Sequence, residues 1–183
     1  TGDAGIFSRG DVSIQNSTVK VSEAENYYAV TANGTTTVTG SWVETNHENS
    51  VNGSITDSVL FNGDSGTVIG NATLLGNTTL DAGKTLVIPE GASLSVGAGN
   101  TFTNNGVVTV KGGFSTDGGT LVCNNHSGGT ATCTAKAKCS TCNAEYGEKL
   151  PHDFTAETAE EQYLKSSSNC TEKAVYYKSC TVC

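Results

Sequence analysis

The residues best equipped for chemistry are seven cysteines and three histidines. All the cysteines fall in the last third of the chain: Cys123, Cys133, Cys139, Cys142, Cys170, Cys180 and Cys183. His126 and His152 lie among them, whereas His47 stands in a polar loop where an imidazole is ordinarily just solvated. Read in order, the region repeats one pattern. His126 and Cys133 precede Cys139-x-x-Cys142, and His152 and Cys170 precede Cys180-x-x-Cys183. Two residues between cysteines let both sulfurs reach one ion from a tight turn, and three thiolates with one imidazole complete the tetrahedral shell of structural zinc. The spacing therefore predicts two structural zinc ions, one held by His126, Cys133, Cys139 and Cys142, the other by His152, Cys170, Cys180 and Cys183. Cys123 is left over. It lies close enough to His126 to replace it in a four-cysteine site, and His152 could close the first set instead of opening the second. Disulfides are the competing chemistry, since they are the default outside the cell. Cys133–Cys142 and Cys170–Cys180 are the bridges to consider. The odd number of cysteines and the two matched histidines weigh towards metal. No βαβ pattern surrounds either Cys-x-x-Cys, as a thioredoxin-like redox site would need.

The elements that must carry these residues change character near residue 122. Before residue 121 there is no cysteine, and the only basic residues are Arg9, Lys20, Lys84 and Lys111. We read 1–122 as one domain and 123–183 as a module of two repeats, about 123–150 and 151–183. The first domain shows no helical periodicity. It consists of short runs rich in Val, Ile, Leu and Thr, such as Leu86-Val87-Ile88 and Val107-Val108, punctuated by Gly and Asn. That alternation indicates strands. Leu74, Leu80, Leu86, Leu94, Phe102, Val108 and Phe114 recur at steps of six or eight residues. Three such steps make one coil, so the fold predicted is an all-β parallel β-helix, right-handed because the steps are uneven, with each coil burying its apolar positions on the next. Thr and Asn would then ladder along the outside. The pairs Asn33-Gly34, Asn52-Gly53, Asn62-Gly63 and Asn105-Gly106 are hairpin signals and favour the alternative, a β-sandwich.

In the tail, Thr158 to Glu161 reads as a capping box, which predicts a short helix from Ala159 to Lys165. Asn143 follows the first Cys-x-x-Cys and tolerates left-handed backbone. The module has so few aliphatic residues that bound metal would supply most of its stability, giving a zinc-ribbon-like fold.

Two stretches of the first domain, GIFSRGDVSI from Gly5 to Ile14 and KTLVIPEGASLSV from Lys84 to Val96 followed by TFTNNGVVTV from Thr101 to Val110, resemble pectin-lyase-like β-helix repeats in large surface proteins of Gram-positive anaerobes. The tail resembles the Cys/His-rich tandem repeats of the same surface proteins, through ATCTAKAKCSTC from Ala131 to Cys142 and through His152-Asp153-Phe154 and Tyr176 to Cys183. These resemblances imply a processed piece of a larger secreted, cell-surface protein. They mark a fold and not a catalytic site.

Other functions are constrained by composition. A net charge of -8 argues against nucleic acid, which demands a basic surface. No run of apolar residues is long enough to span a membrane. A polysaccharide lyase needs a base beside a calcium cluster, and the few basic residues of the domain have no acidic cluster near them in sequence. The aspartates Asp57, Asp64, Asp81 and Asp117 are scattered in turn-like contexts. Calcium is the other cation that acidic loops could take, though only isolated carboxylates are seen. Trp42, Tyr27 and Tyr28 are candidates for stacking on sugar rings, unless Trp42 fills the core or caps the solenoid. The expected function is a non-catalytic, structural or adhesive surface module that binds polysaccharide or a host or cell-surface protein. The alternatives are a degenerate polysaccharide lyase or hydrolase, and a protein-interaction module carried on a solenoid spacer.

Overall fold

The computed structural model describes residues 5–22, 28–46 and 51–181. The chain is all-β and contains a β-solenoid of about five turns. It divides into two compact units, residues 1–128 with 140–143 and residues 129–139 with 144–183.

The first unit is the solenoid, with three short strands to a coil. β1 (Ile6–Ser8), β2 (Val12–Gln15) and β3 (Thr18–Val21) are followed by β4 (Val30–Ala32), β5 (Thr36–Thr39) and β6 (Trp42–Thr45), which lie parallel beside them. β7 (Ser54–Thr56) and β8 (Ser58–Asn62) pair in turn with β5 and β6. A second stack starts with β9 (Ser65–Ile69), β10 (Asn71–Leu74) and β11 (Thr78–Leu80). It continues through β12 (Thr85–Ile88), β13 (Ser93–Val96) and β14 (Thr101–Asn104), and ends with β15 (Val107–Val110), β16 (Gly113–Ser115) and β17 (Thr120–Cys123). Every strand of this stack from β12 onwards is parallel to the strand one coil earlier. Leu74, Leu80, Leu86, Leu94, Phe102 and Val108 are all buried in one cluster, with Phe114 packed against it. A single coil cannot bury such residues alone, and the neighbouring coil supplies the missing wall.

One of the four Asn-Gly pairs does make a hairpin. Asn62-Gly63 turns the chain back, with Gly63 at φ 61°, so that β9 runs antiparallel to β8 in a six-stranded sheet ordered β3-β6-β8-β9-β12-β15. At Gly106 the glycine has a different cause. A Cβ there would lie 2.4 Å from the Lys84 carbonyl oxygen of the coil below.

The reversal puts two cores on opposite faces of one sheet. Val43 packs with Ile14, Val30 and Val38, joined by Val19 and Leu60. Trp42, Val59, Phe61 and Val68 face the other way, into the cluster of the second stack. β6 is therefore buried at all four positions. Opposite Phe61 stands Gly66, where a Cβ would lie 2.4 Å from the phenyl ring.

That double burial takes Glu44 out of water, to 6% exposure. Its carboxylate accepts from the Trp42 indole at 2.7 Å, pairs with Lys20 at 3.0 Å, and takes a further bond from Lys84. Burial pushes the Glu44 carboxyl upward, but hydrogen bonds from Lys84, Trp42 and Lys20 and the charge of Lys84 outweigh it. Glu44 consequently titrates below the ordinary value of 4.5.

The second unit has little apolar core. Among its described residues only Cys133, Ala137 and Cys139 are buried and apolar, while Leu150, Phe154, Val175 and Tyr177 are exposed. It holds two small antiparallel pairs, β18 (Ala137–Lys138) with β19 (Glu145–Tyr146), and β20 (Leu164–Ser166) with β21 (Val175–Tyr176). The helix expected from Ala159 to Lys165 is not formed. A 3-10 turn covers Glu161–Tyr163 without a side-chain cap, and the chain then extends into β20. Leu164 pairs with Tyr176 there, and this tertiary partner overrides a short segment's weak helical propensity.

A group whose pKa is lowered on folding contributes stability above its unfolded value and loses it as pH falls through the folded one. The melting temperature should therefore drop on acidification below about pH 4.5. Thermal melts of Glu44→Gln should start lower at neutral pH and show a smaller acid-induced drop. An unchanged acid dependence in this variant would refute the assignment.

Candidate metal centre

Two groups of sulfur and imidazole ligands are assembled. Cys123, His126, Cys139 and Cys142 each offer one ligand atom, and these atoms all lie within 4.8 Å of one another. Cys133, His152 and Cys180 do the same. Both groups could hold a metal ion.

The first group is built from the last coil outward. Cys123 ends β17, where it pairs with Asn104 of β14. The Asn104 carbonyl then accepts from the amides of Asn124 at 2.8 Å and Asn125 at 3.1 Å, which turns the chain and delivers His126. Ser127 donates its hydroxyl to the Val108 carbonyl at 2.9 Å. Its own carbonyl accepts from the Ser140 amide at 2.9 Å. That contact brings Cys142 beside the histidine. His126 Nδ1 lies 3.5 Å from Cys123 Sγ and 3.3 Å from Cys142 Sγ. Asn143 takes left-handed backbone at φ 58°, and the Cys139 amide donates to the Ala144 carbonyl at 2.9 Å. These two features close the Cys-x-x-Cys turn.

The second group lies within the second unit. Cys133 occupies a turn in which Thr132 Oγ1 accepts from the amides of Thr134 at 3.2 Å and Ala135 at 2.9 Å. The Thr181 amide donates to the Asp153 carbonyl at 2.9 Å, which sets Cys180 beside His152. The two sulfurs are 3.8 Å apart, and the His152 ring stacks on Phe154 with centroids 5.2 Å apart.

The grouping differs from the one that spacing suggests. The structure brings together His126, Cys139 and Cys142 of the first expected set and supplies Cys123 in place of Cys133. Cys133 stands instead with His152 and Cys180. Cys170 is exposed and belongs to neither group. It sits in a turn where Asn169 Oδ1 accepts from the amides of Thr171 at 2.9 Å and Glu172 at 2.8 Å. Cys183 lies outside the described residues. Cys123, Cys139, Cys142, Cys170 and Cys180 take part in no disulfide, so neither Cys133–Cys142 nor Cys170–Cys180 is bridged. Cys133 is the one described cysteine that is a disulfide sulfur, and no disulfide joins two described residues.

Trp42 is only 2% exposed, tilted against Phe61 at 5.0 Å and Phe102 at 6.2 Å between centroids. It offers no free face to a sugar. Tyr28 is half-buried, and Tyr27 lies outside the described residues.

Local reading also missed that Lys20 and Lys84 converge on a carboxylate, because residues 20, 44 and 84 meet only through coil stacking. A cavity of about 250 Å³ adjoins them, lined by Lys20, Glu44, Asn46, Asp64 and Lys84 among others. The Glu44 oxygens are already taken by three donors, so this carboxylate acts as a structural tie and not as a free base.

Comparison of the chain with protein-family models, with curated proteins and with solved structures finds no match.

The grouping makes a direct prediction for metal content. Cys123→Ser should lose the ion of the first group, whereas Cys170→Ser should leave metal content unchanged. Metal analysis of the two purified variants checks this, and the reverse pattern would restore the grouping that spacing suggests.

Proposed function

We propose that the chain is a non-catalytic, extracellular surface module. Its β-solenoid serves as a rigid spacer and adhesive face for polysaccharide, and zinc stabilises its Cys/His-rich end. The observation that carries the reading is the first ligand group, three sulfurs and one imidazole within 4.8 Å of one another. That donor set suits structural zinc, which takes four protein ligands and leaves no position open for substrate.

The solenoid surface supports the adhesive part. Its outward residues bond one another from coil to coil, as in Thr39 with Thr56 at 3.1 Å, Thr73 with Ser95 at 2.9 Å and Asn71 with Ser93 at 2.9 Å. Such ladders make flat polar faces that can hydrogen-bond a glycan, and their side chains are held in place by each other. A host or cell-surface protein is the other partner such a face fits.

The second group offers its three donors, Cys133, His152 and Cys180, to zinc only when Cys133 is reduced, because a disulfide sulfur is a poor metal ligand. Native against denatured mass, measured without chelator, should therefore show one zinc under oxidising conditions and two under reducing conditions. No zinc in either state would reject the zinc part of the reading. Incubation with pectin and calcium should give no unsaturated-uronate absorbance, and its appearance would overturn the non-catalytic assignment in favour of a lyase.

A further inference from the structure

Beyond the ligands themselves, one buried side chain faces the first group without belonging to it. We propose that Asn104 is a positioning residue of this centre. Its side-chain amide holds the Cys123 sulfur through an N–H···S hydrogen bond and thereby strengthens metal binding. The proposal rests on the reading that the first group binds zinc.

Asn104 is 0% exposed and closes β14. Its register neighbours are Leu80 on β11 and Cys123 on β17. One interior column of the solenoid therefore runs leucine, asparagine, cysteine. A carboxamide where the previous coil has leucine is unfavourable unless its polar atoms find partners. Asn104 Nδ2 donates to the Asn125 carbonyl at 3.1 Å and lies 3.8 Å from Cys123 Sγ. Its Oδ1 has no hydrogen-bond partner among the described residues. The side chain is thus committed to donating, towards the sulfur and towards the turn that carries His126.

This orientation suits a coordinated sulfur. As a thiol, Cys123 lies 3.3 Å from the Asn125 carbonyl, an acceptor for its proton. A metal-bound sulfur carries no proton and can only accept. Asn104 Nδ2 provides N–H for it, and the Thr141 hydroxyl, 3.7 Å from the same sulfur, is a second donor. Groups that orient a ligand in this way typically change metal affinity by about 10–100-fold when removed. Leu80 shows that the interior column accepts an apolar side chain at this position, so the amide serves something other than filling space.

The test uses the full chain and Asn104→Leu. Zinc affinity is read by competition with a chromophoric chelator, and cobalt(II) loading reports the sulfur-to-metal charge-transfer bands. The variant should fold, bind zinc about 10–100-fold more weakly and show shifted bands of similar intensity. Equal affinity with unshifted bands would overturn the proposal. If the wild-type chain takes up neither ion, the zinc reading fails and takes this proposal with it, an outcome distinct from a difference between variants. A second measurement needs no substitution. In wild-type protein loaded with cadmium-113, the Asn104 amide proton should couple to the metal through the Cys123 sulfur. Bound cadmium without that coupling would overturn the proposal even if Asn104→Leu does not fold.

Discussion

Coil-on-coil hydrogen bonding is the constraint from which the rest of the first unit follows. Three strands of three to five residues bury little by themselves. Once the backbone of one coil pairs in parallel with the next, each side chain acquires a fixed neighbour one coil away, inside or outside. The inside columns become the apolar core, and the outside columns become hydroxyl and amide ladders. Corner positions are fixed in the same way. Asn16 and Gly40 both take left-handed backbone, at φ 49° and 60°, and lie next to each other in adjacent coils, with a Cβ on Gly40 falling 2.4 Å from Asn16 Oδ1.

The Asn62-Gly63 hairpin modifies this rule once, with large consequences. Reversing strand direction while the sheet continues places one core on each face of that sheet. β6 and β8 then lie between two apolar layers, as central strands of parallel sheets do. A charge caught there must be paired. Glu44 meets that demand through Lys20, Lys84 and the Trp42 indole, residues from three different coils. The aromatic ring that looked like a sugar platform is instead part of the seal around this ion pair.

Sequence spacing revealed the columns but not their register. The steps from Leu74 to Phe114 identify the inward residues because the second stack has nearly uniform coils. The double burial of Trp42-Val43-Glu44-Thr45 was hidden, because strict alternation assumes one wet face. The choice of Cys123 was hidden for a related reason. Spacing ties Cys133 to Cys139, but what sets Cys123 beside His126 is its pairing with Asn104 on the preceding coil. A local turn around Thr132 carries Cys133 to a different group. Asn143, by contrast, was legible, because left-handed backbone after a Cys-x-x-Cys turn is a local requirement. The short helix failed for the opposite reason, since Leu164 finds its partner in a strand ten or so residues downstream.

The central claim is that Cys123, His126, Cys139 and Cys142 together hold one metal ion. Anomalous diffraction at the zinc edge from crystals of the zinc-loaded chain tests it most directly. The account predicts a peak bonded to Cys123, His126, Cys139 and Cys142, with sulfur distances near 2.3 Å and a nitrogen distance near 2.0–2.1 Å. A peak that engages Cys133 in place of Cys123, or no peak at this group in crystals that contain zinc elsewhere, would contradict it.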